Sequence, residues 1–300
     1  MVGTIRFPNL GITLKNVPRW FQVGGLEIAC YGIVLAIAMM TGLFLVMKVA
    51  DRTGQKGDDY FDLGIVAIVV SVICARIYYV IFSWDYYRSH IAEIFNLRQG
   101  GLAIYGGIAG GILTVILFCH IRKIKYRAAL DTACIGLVWG QVVGRWGNFF
   151  NREAFGGYTD NLLAMQIPLR DLRIDEVTQQ MLDHQQVIDG VTYVQVHPTF
   201  LYESLWNLGV LLILLLITFR IRKRFSGMVV LFYLLLYGSG RVWIEGLRTD
   251  QLLIPGTEIP VSQLLSGVLA VGSAVLLITE KIRMKGTKDY DKKRIIKKKH

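Results

Sequence analysis

The chain has 300 residues, 53% hydrophobic and only 18% charged, whereas roughly a quarter of the residues of a soluble domain are charged. This excludes a disordered chain and favours an integral membrane protein over a soluble domain. The net charge of +11 gives no nucleic-acid reading, because Lys and Arg gather in short segments between apolar runs.

A membrane-crossing helix needs about 20 predominantly apolar residues. Seven runs approach that length: 28–49, 61–82, 102–119, 128–143, 200–218, 228–243 and 261–279. The fourth and sixth are short and polar at one end, but the charge pattern requires both. Basic clusters follow the first run (Lys48, Arg52, Lys56), the third (Arg122, Lys123, Lys125, Arg127) and the fifth (Arg220, Arg222, Lys223, Arg224). Ten further Lys or Arg follow Thr279. Because such clusters stay cytoplasmic, the N-terminus is placed outside and the C-terminus inside. No charged leader with an A-x-A-like cleavage site precedes the first run, which is therefore read as retained.

The expected architecture is an all-α integral membrane protein, a single polytopic domain over 1–300 with seven transmembrane helices. A small outer-face head is inserted between the fourth and fifth helices at about 144–197, and a basic cytoplasmic tail occupies about 281–300. Within the head, 169–190 is charged and helix-compatible, while 191–196 alternates like a short strand. Cys30, Cys74, Cys119 and Cys134 lie in or beside apolar runs and read as small buried hydrophobes. Neither C-x-x-C pairs nor clustered histidines supply metal-ligand spacing, so no metal or other cofactor is expected.

Ionisable groups at membrane depth cost several kcal/mol, so each needs a partner, a water-filled cavity or a function. Arg76 lies in the outer half of the second run. Arg145, Asn148, Asn151, Arg152 and Glu153 follow the fourth; His197 and Glu203 open the fifth; Arg241, Glu245 and Arg248 close the sixth. All of these fall toward the outer side. Arg241, Glu245 and Arg248 share one face of a helix, where either a plain Arg241–Glu245 ion pair or a functional role fits. Guanidinium groups match phosphate as a fork, so several arginines near headgroup depth suggest a phospholipid phosphate site. The stretch GGLAIYGGIAGG at 100–111 permits close backbone approach, either for helix packing or for cradling a phosphate. P-loop and serine-elbow motifs are lacking.

The segment GRWGNFFNREAFG at 144–156 resembles the signature of the prolipoprotein diacylglyceryl transferases of the bacterial inner membrane. Supporting matches are Tyr31-Gly32, Ala75-Arg76-Ile77, His197-Pro198-Thr199, Leu201-Tyr202-Glu203 and Gly240-Arg241 with Glu245 and Arg248. The resemblance runs from about Tyr31 to Arg248 and implies the same seven spans. It implies transfer of the diacylglyceryl group of phosphatidylglycerol to the lipobox cysteine thiol of a preprolipoprotein, releasing glycerol phosphate. The implied partners are phosphatidylglycerol, the preprolipoprotein signal peptide and membrane lipid, with no nucleic acid.

By carry-over, Arg145 and Arg241 take the phosphate, with Arg76 and Arg248 as further contacts. Asn148, Glu153 and Gly156 follow from the signature, and Glu245 orients Arg241. Tyr31, Gly101, Gly106, Gly107, His197 and Glu203 are implied on the lipid or substrate side. One position departs from the family pattern: Tyr105 stands in the glycine-rich stretch where many members carry histidine. A phenol with pKa near 10 is a weak base at neutral pH. Tyr105 is therefore read as a hydrogen-bond donor to phosphate or as a tuned base, with His197 the alternative base. A transporter or channel for an anion or lipid headgroup is the competing class, since it too uses intramembrane arginines and glycine-rich helices.

Overall fold

The computed structural model describes residues 2–96, 100–221 and 225–297, with side chains described through residue 284. The basic cluster Arg222, Lys223, Arg224 and most side chains of the basic tail lie outside the described residues. The chain forms two compact units, residues 1–40 with 137–300, and residues 41–136.

The first unit opens with β1 (Val2–Phe7) and β2 (Ile12–Pro18), then a hairpin of β3 (Trp20–Val23) and β4 (Leu26–Ala29), and passes into α1 (Cys30–Arg52). The second unit takes up the rest of α1, α2 (Gly57–Phe82), the short α3 (Trp84–Tyr87) and α4 (Ile104–Arg122), and α5 (Tyr126–Asn151) carries the chain back. The first unit continues with β5 (Met165–Pro168), α6 (Gln179–Asp183), β6 (Gln186–Ile188), β7 (Val191–Val196), α7 (Thr199–Arg220), α8 (Met228–Glu245) and α9 (Val261–Lys297).

The molecule is mostly helical, and among the described residues six helices are long and apolar enough to cross a membrane: α1, α2, α4, α7, α8 and α9 through Met284. The expected fourth run, 128–143, lies inside α5, which is 26 residues long but is not among the six.

Beside the helices stands an antiparallel sheet in the order β2-β1-β5-β7-β6. The strand expected at 191–196 is β7, whereas most of 169–190 forms single turns, one short helix and β6 instead of a longer helix. Strands from residues 2–18 were not expected. Their alternation places Ile5, Phe7 and Val17 in a core with Ile167, Val194, Val196 and Phe155. Burying each such side chain contributes about 1.5–3 kcal/mol, which ties the N-terminal strands to the segment that follows α5. Hairpins β3–β4 and β6–β7 turn on Gly24-Gly25 and Asp189-Gly190, all at positive φ as the tight turn demands. All four cysteines are free thiols, three of them buried.

Candidate active site

In α5, residues 144–151 set the frame. The Trp146 indole donates to Ser204 Oγ at 3.2 Å, and Ser204 donates to the Val142 carbonyl at 2.9 Å, tying α5 to α7. A Cβ at Gly147 would lie 2.5 Å from the Tyr31 ring, so glycine is what lets the tyrosine lie against α5. On α8, a Cβ at Gly240 would strike the Trp206 indole, which donates to the Leu236 carbonyl at 2.9 Å. This close approach brings α7 onto α8 beside Arg241.

Glu203 sits at the centre, its side chain only 4% exposed. Arg241 Nη1 donates to its Oε1 at 2.6 Å. Arg145 Nε lies 2.6 Å from its Oε2, but the N–H is not aligned on that oxygen, so this contact is an ion pair without a hydrogen bond. Arg241 also pairs through Nη2 with Glu245, which accepts from Ser262. Arg248 reaches Glu245 at 3.8 Å and forks onto Asp250 at 2.8 and 2.6 Å. On the other flank, Arg145 Nη1 donates to Asn148 Oδ1 at 3.4 Å, and Asn148 Nδ2 donates to Glu153 Oε1 at 2.9 Å. Three guanidinium groups thus face Glu203, Glu245 and Asp250, a balance that low-dielectric surroundings favour.

Glu153 reaches Asn148 because of how α5 ends. The Glu153 N–H bonds the Asn148 carbonyl at 3.1 Å and the Arg152 N–H bonds Phe149 at 3.2 Å, the Schellman closure, with Arg152 at φ 55° where glycine is usual. Buried Arg152 holds this unfavourable turn by donating to the Val17 and Phe150 carbonyls at 2.6 and 3.0 Å and pairing with Asp171 at 3.1 Å. Gly156 then threads a three-way junction: its N–H bonds the His197 carbonyl, and a Cβ there would lie 2.6 Å from the Leu247 carbonyl oxygen. His197 Nδ1 lies 3.2 Å from the Tyr202 hydroxyl, and burial pushes its pKa below the ordinary value of 6.5. Burial pushes the Asp250 carboxyl up, but the Arg248 hydrogen bonds and charge outweigh it and hold its pKa below 3.8.

The first unit therefore contains Tyr31, Arg145, Asn148, Glu153, Gly156, His197, Glu203, Arg241, Glu245 and Arg248. Arg76, Gly101, Tyr105, Gly106 and Gly107 lie in the second. There the Arg76 donors go to the carbonyls of Ile94, Gly100, Gly101, Glu93 and Asn96 at 2.6–3.3 Å. Gly101, at φ 76°, leaves no room for a Cβ beside that guanidinium. Gly106 packs on the α2 backbone, where a Cβ would lie 2.5 Å from the Cys74 carbonyl oxygen, and a Cβ at Gly107 would make ordinary contacts there. These arrangements favour packing over a phosphate cradle for the glycine-rich stretch. Tyr105 is 40% exposed in the first turn of α4 and makes no hydrogen bond among the described residues. Asp250 and Ser262 belong to the ionic set without having been singled out; the only sequence signal for Asp250 is its place two residues after Arg248. Among the described residues, no three His, Cys, Asp or Glu side chains gather as a metal-ligand set.

Residues 18–279 match the sequence profile of the prolipoprotein diacylglyceryl transferase family. The chain belongs to this family. It is 41% identical over 255 residues to the phosphatidylglycerol–prolipoprotein diacylglyceryl transferase of Clostridioides difficile (strain 630), covering 85% of this chain and 92% of that protein. Transferases of the same name from Bacillus velezensis and Acaryochloris marina are 40% and 38% identical, over 91% and 87% of this chain and 94% and 89% of their own lengths. The match thus extends over β5 to β7, the Glu203 cluster and the apolar helices as far as residue 279, while β1 and most of β2 precede it.

Proposed function

We propose that this protein transfers the diacylglyceryl group of phosphatidylglycerol to the lipobox cysteine of preprolipoproteins in the bacterial cytoplasmic membrane. The cysteine sulfur attacks the glyceryl carbon bearing the phosphate ester. A C–S bond forms as the C–O bond breaks, glycerol phosphate leaves with the bonding pair, and the thiol proton passes to a base. The leaving phosphate gains negative charge, so the site must offer preorganised donors where that charge develops. Arg145 is the first choice, being more exposed than Arg241 and with its N–H donors not committed to Glu203. Arg241, fixed between Glu203 and Glu245, is the second. Asn148 and Glu153 orient Arg145 from the other side.

The supporting observation is this carboxylate-bridged arginine pair in a chain about 40% identical to transferases of that name. In this reading α5 is a seventh span, since 26 residues reach about 39 Å. The N-terminus and the site face outward, and the basic segments face the cytoplasm.

Detergent-purified protein, incubated with phosphatidylglycerol and a lipobox peptide, should add a diacylglyceryl mass to the peptide and release glycerol phosphate. Arg145→Ala and Arg241→Ala should abolish both. An unmodified peptide, with lipid and peptide both bound, would implicate the Tyr105 departure or a different acceptor; no binding of either would overturn the reading in favour of a transporter for an anion or lipid headgroup. In the same assay, near-full activity of Tyr105→Phe would remove that phenol as the base.

A further inference from the structure

Beside the sheet, within the first unit, lies a cleft of about 430 Å³ lined by Arg19, Trp20, Glu153, Arg170, Arg173 and Glu176, among others. Most of its charge is already committed. Asp171, also on its wall, pairs with Arg152 at 3.1 Å, and Glu176 pairs with Arg173 at 3.4 Å. Arg19 gives Nη2 to the Asp171 carbonyl, while its Nε is shut off from solvent without an acceptor. Arg170 has no hydrogen bond or ion pair among the described residues and is exposed. The cleft therefore offers the uncommitted guanidinium of Arg170 and, in Glu153, an acceptor.

Two further features orient this cleft. Glu153 belongs both to it and, through Asn148, to the Arg145 cluster, so the cleft adjoins the arginines assigned to the lipid phosphate. Trp20 and Ala29, register partners at the base of the β3–β4 hairpin, line it as well. Phe21, Val23, Leu26 and Ile28 of that hairpin are exposed, and β4 runs straight into α1, a helix of membrane length. At about 3.3 Å per residue its four-residue strands reach only about 13 Å, too short to cross a bilayer, so a hairpin continuous with α1 extends from the end of that helix, with the cleft beside it.

We propose that this cleft binds the polypeptide substrate just C-terminal to its acceptor residue, where that chain leaves the lipid. This rests on the transferase reading. An extended polypeptide supplies what the walls lack: carbonyl oxygens for Arg170 and N–H groups for Glu153. A lipid headgroup phosphate fits less well, because it would meet the carboxylates of Glu153, Asp171 and Glu176. With the unpaired Arg170 at the rim, an acidic side chain next to it in the bound segment is preferred over a basic one.

The test compares two lipobox peptides, one ending at the acceptor cysteine as its amide and one extended by four residues including an aspartate. Wild-type protein should show a higher kcat/KM for the extended peptide. Arg170→Glu should lower that advantage about tenfold through KM for the peptide, the scale of a charged hydrogen bond. KM for phosphatidylglycerol should not move. Equal kcat/KM for the two peptides, or an advantage unaltered in Arg170→Glu, would overturn the proposal. So would a rise in KM for phosphatidylglycerol alone, which assigns the cleft to lipid. If neither peptide is modified at all, the transferase reading itself has failed.

Discussion

Arg76 in one unit and the partly buried pair Arg145 and Arg241 in the other are satisfied in opposite ways. Arg76 spends its donors on five backbone carbonyls and lies 5.2 Å from the Tyr87 ring centre, so its hydrogen bonds are made while its charge meets no carboxylate in ion-pair range among the described residues. Arg145 and Arg241 instead share the carboxylate of Glu203. An arginine held by carbonyls acts as a fastener for the backbone, because an incoming anion would have to strip several fixed carbonyls from it. An arginine held by a carboxylate belongs to a charge-balanced set, in which a phosphate can compete with the carboxylate. Residue type at membrane depth therefore does not assign function by itself; the acceptor does.

Removing the bridging charge should produce the largest effect. Glu203→Gln keeps the shape of the side chain and leaves Arg145 and Arg241 without their shared anion. We expect kcat to fall about 10²- to 10³-fold as the guanidinium groups lose their fixed positions. Inhibition by added glycerol phosphate should strengthen at the same time, since a competing carboxylate has gone. Weaker inhibition would break the comparison. Arg76→Lys comes next: three donors on a flexible stem cannot serve five carbonyls, and about 3 kcal/mol of stability should be lost. Thermal unfolding and faster amide exchange within 93–96 and at 100–101 would register it, with no change in glycerol phosphate inhibition. Gly156→Ala should be smaller, about 1–3 kcal/mol, because its Cβ would crowd the Leu247 carbonyl at 2.6 Å and the junction must shift.

The contrast between units also marks how much the sequence disclosed. The apolar helices were legible because some 20 consecutive apolar residues is a strong signal, and Val191–Val196 was legible because V-T-Y-V-Q-V is rich in β-branched and aromatic residues and roughly alternates. The N-terminal strands were not. Residues 2–18 are short and interrupted by a turn at Pro8–Leu10, and their partner β5 lies about 160 residues away, a pairing no local pattern encodes. Arg241 and Glu245 were legible as an i, i+4 pair, but the link from Glu203 to both Arg145 and Arg241 crosses three helices and depends on glycine at 240 admitting Trp206. The different environment of Arg76 was hidden for the same reason: its acceptors are main-chain carbonyls, which every residue carries.

The smallest expected effect concerns pH and the junction around Gly156. Burial holds His197 below its ordinary value of 6.5, so in the window between those two values the unfolded chain binds the proton more readily than the folded one. Stability therefore rises with pH across that window: the contribution is fully present above about 6.5 and is lost as pH falls through the lowered value. Asp250 acts in the same direction but in a separate window, below its ordinary 3.8, where protonation would release the Arg248 fork. His197→Gln keeps a polar group near Tyr202 and removes the titration. Its melting temperature should be nearly independent of pH from 7 to 5.5, where the wild type declines, and the two proteins should run parallel below pH 4. A wild-type decline that persists unchanged in His197→Gln would show that the weak point lies in another titrating group, and the junction would then owe its stability to Gly156 and its backbone bonds alone.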